Sequence, residues 1–181
     1  MSTPHLQTKN LQLVPHAPEH LRALIDGMVA YQKSFGYRAA EGLRDFIVST
    51  DVSPDYLARL NAATRPDPWT HGFALVHQGS DTVIGMGGFK AAPDKDGVVE
   101  IAYGVVPVFQ GKGFATEAAQ ALTSYAFNSG QVRLVRAHTL PQPNASTRVL
   151  AKCGFQHIGE VIDPEDGPVW RWEKQLTETL L

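Results

Sequence analysis

The chain has 181 residues, of which 43% are hydrophobic and 19% are charged, and its net charge is -2. These values favour one globular domain over residues 1–181 and give no support to a nucleic-acid partner, which requires a basic face. The lone cysteine, Cys153, excludes an internal disulfide, and no apolar run reaches the length of a membrane span. With no apolar signal core at the N-terminus, we expect a cytoplasmic protein.

The first half of the chain mixes extended and helical patterns. Apolar residues over 6–14 predict a strand, and Pro18 begins a helix whose apolar residues recur at helical spacing. Residues 31–52 fit a loop with a short helix. Ser53 and the following Pro and Asp then begin a helix that ends at the sequence RPDP.

The second half is predicted to contain most of a sheet. Its pattern predicts six strands and two helices, with Gly or Pro at most boundaries. The strands are expected over 73–77, 83–89, 98–106, 132–139 and 155–162, the helices over 113–128 and 144–153, and a closing strand over 169–173. The chain order is therefore strand, two helices, three strands, helix, strand, helix and two strands, which indicates an α+β or mixed α/β domain built on one sheet.

The stretch VVPVFQGKGFATEAA, from Val105 to Ala119, is the most specific motif. A strand, a glycine-rich turn and a helix follow one another there, and such a helix start can direct several backbone N–H groups at one anion. The stretch lacks the G-x-x-x-x-G-K-[ST] spacing of a P-loop, and Thr116 interrupts the dinucleotide fingerprint G-x-G-x-x-G. Its spacing is Q-x-x-G-x-A, at Gln110, Gly113 and Ala115.

This motif resembles the acetyl-CoA pyrophosphate loop of the GNAT N-acetyltransferase superfamily. VEIAYGVVPVFQGKGFATEAA is similar to the fourth strand, loop and third helix of that family, and NASTRVLAKCGFQHIGE to a later helix and strand. The ending GPVWRWE resembles the last strand of the ribosomal-protein-alanine N-acetyltransferase type. The resemblance spans 69–173 and implies the GNAT fold: one central, mostly antiparallel sheet of about seven strands, splayed between the fourth and fifth, with about four helices.

The resemblance also implies how acetyl-CoA, the co-substrate, is held. The strand end should pair with the pantetheine arm as an added strand would, and the turn should bind the pyrophosphate. An Asn near the later helix binds the coenzyme in relatives, but the Asn here is shifted by one position. The residues expected to contact the coenzyme are Val105, Val106, Gln110, Gly111, Lys112, Gly113, Phe114, Ala115, Thr116 and Asn144.

Three residues are candidates for the chemistry. Glu100, flanked by apolar residues in V-V-E-I-A-Y, suits a general base, although it could also face solvent. Relatives often carry a Glu here. The backbone N–H of Val106 is expected to polarise the thioester carbonyl. Many relatives protonate the thiolate with a Tyr on the later helix; this chain has none there, so Ser146 is the substitute, with helix capping as its alternative role. Tyr103 is expected in the core.

The resemblance therefore implies transfer of an acetyl group from acetyl-CoA to a primary amine, in a ternary complex. The acceptor is a protein N-terminus or a small-molecule amine, and its contacts are expected within 31–68. The alternative is a non-catalytic acyl-CoA-binding regulatory module with the same fold. No metal, nucleic acid or membrane is expected as a partner, and a homodimer stays open. His16 and His20 have metal-like spacing, but Pro18 intervenes and a third ligand is missing.

Overall fold

The computed structural model describes residues 4–48 and 52–177. Within them lie nine strands, seven α-helices and one short 3-10 helix at Pro107–Phe109. The strands are β1 Leu6–Gln7, β2 Leu11–Pro15, β3 Arg38–Ala39, β4 Phe73–His77, β5 Thr82–Phe89, β6 Val98–Val105, β7 Leu134–Thr139, β8 Gln156–Asp163 and β9 Gly167–Gln175. The helices are α1 Pro18–Asp26, α2 Met28–Phe35, α3 Leu43–Ile47, α4 Pro54–Ala62, α5 Pro68–His71, α6 Phe114–Asn128 and α7 Ala145–Lys152.

The sheet confirms the predicted architecture. Its strand order is β1-β2-β4-β5-β6-β7-β9-β8, with β3 beside β5, and only the β6–β7 and β3–β5 pairs are parallel. Alternating buried residues on β2, β5, β6 and β7 pack against α6, whose Ala118, Ala119 and Leu122 are fully buried. The fold is therefore a mostly antiparallel sheet with its core against one central helix.

The predicted splay lies between β6 and β7. The two strands pair only from Val98–Glu100 to Leu134–Arg136, although β6 continues to Val105 and β7 to Thr139. Beyond Glu100 the strands part, and the backbone edge of β6 faces a gap. The strands that part are the sixth and seventh of nine, because two short strands, β1 and β3, were not predicted from the sequence as separate elements.

The N-terminal third contains more elements than the sequence pattern indicated. The helical pattern that begins at Pro18 is split by Gly27 (φ 150°), so α1 and α2 are separate helices. Residues 31–48 hold the end of α2, β3 and α3, and residues 49–51 of that segment lie outside the described part. Among the described residues no helix has both the length and the apolar character to cross a lipid bilayer.

Candidate active site

The backbone of β6 presents alternate residues to the gap. The Val106 N–H donates to the Ile84 carbonyl (2.8 Å), and the Lys90 N–H donates to the Glu100 carbonyl (2.9 Å). Even-numbered residues of this strand thus direct their main-chain groups at β5, and odd-numbered residues direct theirs at β7. Because β7 has parted, the main-chain groups of Tyr103 and the N–H of Val105 face the gap.

This alternation corrects the role expected of Val106. Its amide is bonded to Ile84 and its side chain is only 1% exposed. It therefore has no N–H free for a thioester oxygen. The neighbouring Val105 has its N–H on the open side, and it lines the groove described next. The sequence does not reveal which residues of β6 bond to β5, so the predicted N–H is one residue away from the N–H that faces the gap.

A groove of about 350 Å³ runs from the end of β6 along the start of α6 to α7. Gly111 and Gly113 have φ of 77° and 85°, and a Cβ at either would meet no atom within 4 Å, so the backbone is open to a ligand. No side chain caps α6. The Gln110 amide donates to the Val105 carbonyl (2.8 Å), which ties the turn to the strand end. The predicted residues lining this groove are Val105, Gln110, Gly111, Gly113, Phe114, Ala115 and Thr116.

The groove has the donors and charges that a coenzyme with phosphate groups requires. The first N–H groups of α6 precede its first internal bond, from Glu117 N–H to the Gly113 carbonyl, so they are directed at the groove. Arg148 and Lys152 line it from α7. The Lys112 ammonium lies 5.5 Å from the centre of the Phe109 ring and outside the lining. The residues present thus fit the pyrophosphate and pantetheine of acetyl-CoA.

Asn144, which is expected to contact the coenzyme, has a structural role at the start of α7. It is the N-cap of α7, where its Oδ1 accepts from the Thr147 N–H (2.9 Å) and its own N–H donates to Thr147 Oγ1 (3.0 Å). It does not line the groove. Ser146, which could have been the cap, is instead free to face the site, and it lines both this groove and the neighbouring cavity.

Glu100 lies in a second cavity, of about 410 Å³, on the other side of the splay. Its Oε1 is 2.8 Å from His138 Nδ1 and 3.3 Å from Lys90 Nζ, and its side chain is 22% exposed. His138 Nε2 in turn accepts from Arg171 Nε (3.1 Å). The exposed residues Asp166 and Leu140 border the cavity, so Glu100 presents a carboxylate held in a polar network to a solvent-accessible space.

Tyr103 connects these spaces. It lines the coenzyme groove, the Glu100 cavity and a third cavity of about 610 Å³ beneath α3, and it also packs against the hydrophobic core, where it was expected. Burial raises the pKa of its hydroxyl well above the usual value; the nearby Cys153 adds to this, and a side-chain hydrogen bond with Ser146 opposes it. Tyr103 and Ser146 therefore meet at the point where the coenzyme groove reaches the Glu100 cavity.

The third cavity is mostly apolar. Phe46, Ile47, Phe73, Met86 and Phe89 line it, together with two histidines. Burial is the main cause that lowers the pKa of both, that of His16 to about 3, so both stay neutral at neutral pH. Among the described lining residues there is no carboxylate.

A larger groove, of about 770 Å³ between β1 and α6, shares no residue with these three.

Several site residues were not identified from the sequence. They are His138, Lys90, Arg171 and Asp166, which surround Glu100 in the structure. No local motif marks them: Lys90 follows β5, which pairs with β6, and β7, β9 and the β8–β9 turn bring the other three to Glu100 from distant parts of the chain. Within the described residues, no cluster of three or more His, Cys, Asp or Glu side chains is arranged to hold a metal ion.

A splayed sheet with a glycine-rich anion loop at the end of one parted strand defines a coenzyme-A-type acyltransferase fold. The family model described as acetyltransferase (GNAT) domain matches residues 10–156. The chain belongs to this family.

The relatives with curated names match regions of different length. The chain is 34% identical over 93 residues to the uncharacterized N-acetyltransferase p20 of Bacillus licheniformis, which is 51% of this chain and 52% of that protein. It is 24% identical to the FsC-acetyl coenzyme A-N(2)-transacetylase of Aspergillus fumigatus, over 91% of this chain and 70% of that protein. The match thus spans about half the length of the first of these relatives.

Solved structures share the fold over nearly the whole chain. The Salmonella typhimurium acetyl transferase that modifies the N-terminal serine of a 50S ribosomal subunit protein has a TM-score of 0.65, at 18% identity, over 96% of this chain and 100% of that one. An acetyltransferase of the GNAT family from Bacillus anthracis has a TM-score of 0.62, at 18% identity, over 95% and 98%. At these identities the likeness concerns the fold alone.

Proposed function

We propose that this protein transfers an acetyl group from acetyl-CoA to a primary amine by direct attack in a ternary complex, with Glu100 as general base. The observation that carries the proposal is that two cavities adjoin each other. The coenzyme groove and the Glu100 cavity both end at Tyr103 and Ser146. An acetyl group delivered along the β6 edge would therefore arrive beside the carboxylate.

In the proposed reaction Glu100 accepts a proton from the protonated amine, directly or through a water. An α-amine, with a pKa of about 7.7–8.0, is already partly neutral at pH 7, so a weak base suffices. The amine nitrogen bonds to the thioester carbon, and the Val105 N–H stabilises the negative charge that develops on the carbonyl oxygen. When the C–S bond breaks, the nitrogen loses its second proton and the thiolate gains one, leaving an N-acetyl amine and free thiol.

Ser146 is the proposed donor of that proton, with Tyr103 beside it. Because burial raises the pKa of Tyr103, its hydroxyl stays protonated at neutral pH, as a donor must. The two hydroxyls can compensate for each other. We therefore expect Ser146→Ala and Tyr103→Phe each to lower kcat a few-fold and the double variant by about tenfold or more. Equal turnover in the double variant and wild type would remove both from the reaction.

Direct transfer is also supported by the burial of the Cys153 thiol. Its thiol is buried and lies 3.7 Å from the Thr116 carbonyl. Burial raises its pKa, although Lys174 opposes the shift. A thiol held neutral in this way is a poor nucleophile, so a covalent acetyl-cysteine intermediate is disfavoured. A single unpaired cysteine also suits a cytoplasmic setting.

The proposed acceptor is an amine attached to an uncharged, apolar group. The cavity beneath α3 is lined by aromatic and aliphatic side chains and by neutral histidines, and its described lining has no carboxylate to hold a second cation. A panel should therefore compare 2-phenylethylamine with spermidine and kanamycin, and include a peptide with an N-terminal serine. We expect the monoamine or the peptide to react faster; faster acetylation of spermidine or kanamycin would contradict the apolar acceptor.

The activity is tested by two measurements on the whole chain. Acetyl-CoA should raise the melting temperature, and free thiol should appear when a suitable amine is added. Glu100→Gln, which keeps the side-chain shape, should lower kcat by about 10²-fold and leave the acetyl-CoA Kd unchanged. Coenzyme binding without turnover on the whole panel would instead indicate the alternative, an acyl-CoA-binding regulatory module.

A further inference from the structure

Three side chains on neighbouring strands form a continuous hydrogen-bonded chain. Arg171 on β9 contacts His138 on β7, and His138 contacts Glu100 on β6, at 3.1 and 2.8 Å. His138 and Arg171 are register partners, and the side chain of His138 is only 11% exposed. These three side chains thus connect the strands across the narrow end of the splay, where β6 and β7 have just stopped pairing.

Arg171 determines which nitrogen of His138 carries the proton. A guanidinium can only donate, so the His138 Nε2 that faces Arg171 Nε must accept. The ring proton is therefore on Nδ1, where it is donated to Glu100. A second ring proton would place two N–H groups against each other. His138 is thus held as a neutral donor and cannot itself serve as the base.

The contacts of Glu100 distinguish its two oxygens. Oε1 receives the His138 N–H and lies near the Lys90 ammonium, at 3.3 Å. Among the described contacts, Oε2 has no such partner. Lys90 is half-exposed and long, so the buried ring of His138 is the rigid part of this arrangement. The charged groups near His138 and Glu100 are Arg171, which contacts His138, and Lys90 and Asp166, which line the cavity.

We propose that His138 and Arg171 are positioning residues that fix the Glu100 carboxylate, with Oε2 directed to the acceptor amine. This inference rests on the proposed function of Glu100 as the base. His138 holds Oε1, and Arg171 holds His138 in the tautomer that can do so. Loss of either leaves Lys90 to draw the carboxylate towards the cavity mouth. A displacement of about 1 Å at a reacting group can lower the rate by about 10²-fold.

The kinetic test uses variants that separate donation from packing. His138→Phe keeps the ring and loses the donor, so kcat should fall by about 10- to 100-fold with little change in the acetyl-CoA Kd. In His138→Asn the amide Nδ2 can take the place of Nδ1, and kcat should return to within a few-fold of wild type. Arg171→Met should lower kcat in the wild-type background but have no further effect when combined with His138→Asn. His157→Phe, the same change at an exposed position on β8, is the matched control and should keep wild-type kcat.

Coupling to Glu100 distinguishes positioning from a general loss of structure. Adding His138→Phe to Glu100→Gln should lower kcat no further, because the carboxylate that His138 positions is already absent. A further fall of tenfold or more in the double variant would overturn the inference, as would a failure of His138→Asn to restore the rate. If Glu100→Gln alone has no effect on kcat, the proposed base itself is wrong.

A spectroscopic readout tests the tautomer without any acceptor amine. In a ¹⁵N-labelled protein, long-range proton–nitrogen correlations should show His138 protonated at Nδ1 only, at neutral pH. Arg171→Met should remove this preference. A His138 ring protonated at Nε2, or at both nitrogens, would overturn the inference even if the acetyltransferase activity is confirmed.

Discussion

The buried histidine His16, which lines the cavity beneath α3, should make the protein lose stability in mild acid. His16 is only 2% exposed, and its Nε2 lies 2.7 Å from the Tyr31 hydroxyl. Its pKa is lowered from 6.5 to about 3, mainly by burial and in smaller part by the neighbouring His20 and His71. The folded protein therefore keeps His16 neutral at a pH where the unfolded chain protonates it.

The sign and size follow from proton linkage. Below pH 6.5 the unfolded state binds one more proton at His16 than the folded state, so stability falls as the pH falls towards 3. One pH unit corresponds to about 1.4 kcal/mol, so His16 alone should remove about 2 kcal/mol between pH 7.5 and pH 5.0. That is a large part of the stability of about 5–15 kcal/mol usual for a domain.

Urea unfolding of wild type and His16→Gln at about pH 7.5 and 5.0 measures this contribution. The glutamine can still hydrogen-bond to Tyr31 but does not titrate, so its loss of stability between the two pH values should be smaller by about 2 kcal/mol. His157→Gln, on the exposed strand β8, corrects for a His-to-Gln change as such. A variant that loses as much stability as wild type over this range would refute the reasoning.

Two further predictions concern the coenzyme groove. Gly113→Ala should weaken acetyl-CoA binding by about tenfold or more in calorimetry, because a Cβ would stand where the phosphates approach. Gly130→Ala, at a similar positive φ beyond the other end of α6, carries the same strain and should bind normally. Asn144→Ala should reduce the free energy of unfolding by about 1 kcal/mol through loss of the cap, with the acetyl-CoA Kd within about twofold of wild type. Tenfold weaker acetyl-CoA binding by Asn144→Ala would instead indicate that Asn144 contacts the coenzyme.

The parts of the fold that local residues determine could be predicted from the sequence. The strand expected over 98–106 is β6, and the helix expected over 113–128 is α6 within one residue at its start, since Pro107 and Gly113 set those boundaries. The N-terminal third was predicted less well, because Gly27 divides one apolar pattern between two helices. A hydrophobic pattern identifies a helical face but not the glycine at which the chain turns.

The candidate site could be predicted from the sequence only in part, for a different reason. Glu100 could be selected because it stands alone among apolar residues, but its partners His138 and Arg171 are 38 and 71 positions further along the chain. They reach it only through the register of β7 with β9, for which the sequence has no local signal. The one-residue error at Val106 has the same origin. Alternation along a strand is predictable, whereas the side on which the alternation starts depends on the neighbouring strand.

The position of Tyr103 shows what the splay changes in the sheet. In a continuous sheet its main-chain groups would pair with β7, and its side chain would simply pack on one face. Because β7 parts after Arg136, the same residue can offer backbone groups to a pantetheine arm and a hydroxyl to Ser146. Its side chain borders three cavities that no other described residue borders together. One interrupted strand pair thus brings the groove at the start of α6, the Glu100 cavity and the cavity beneath α3 to a single residue.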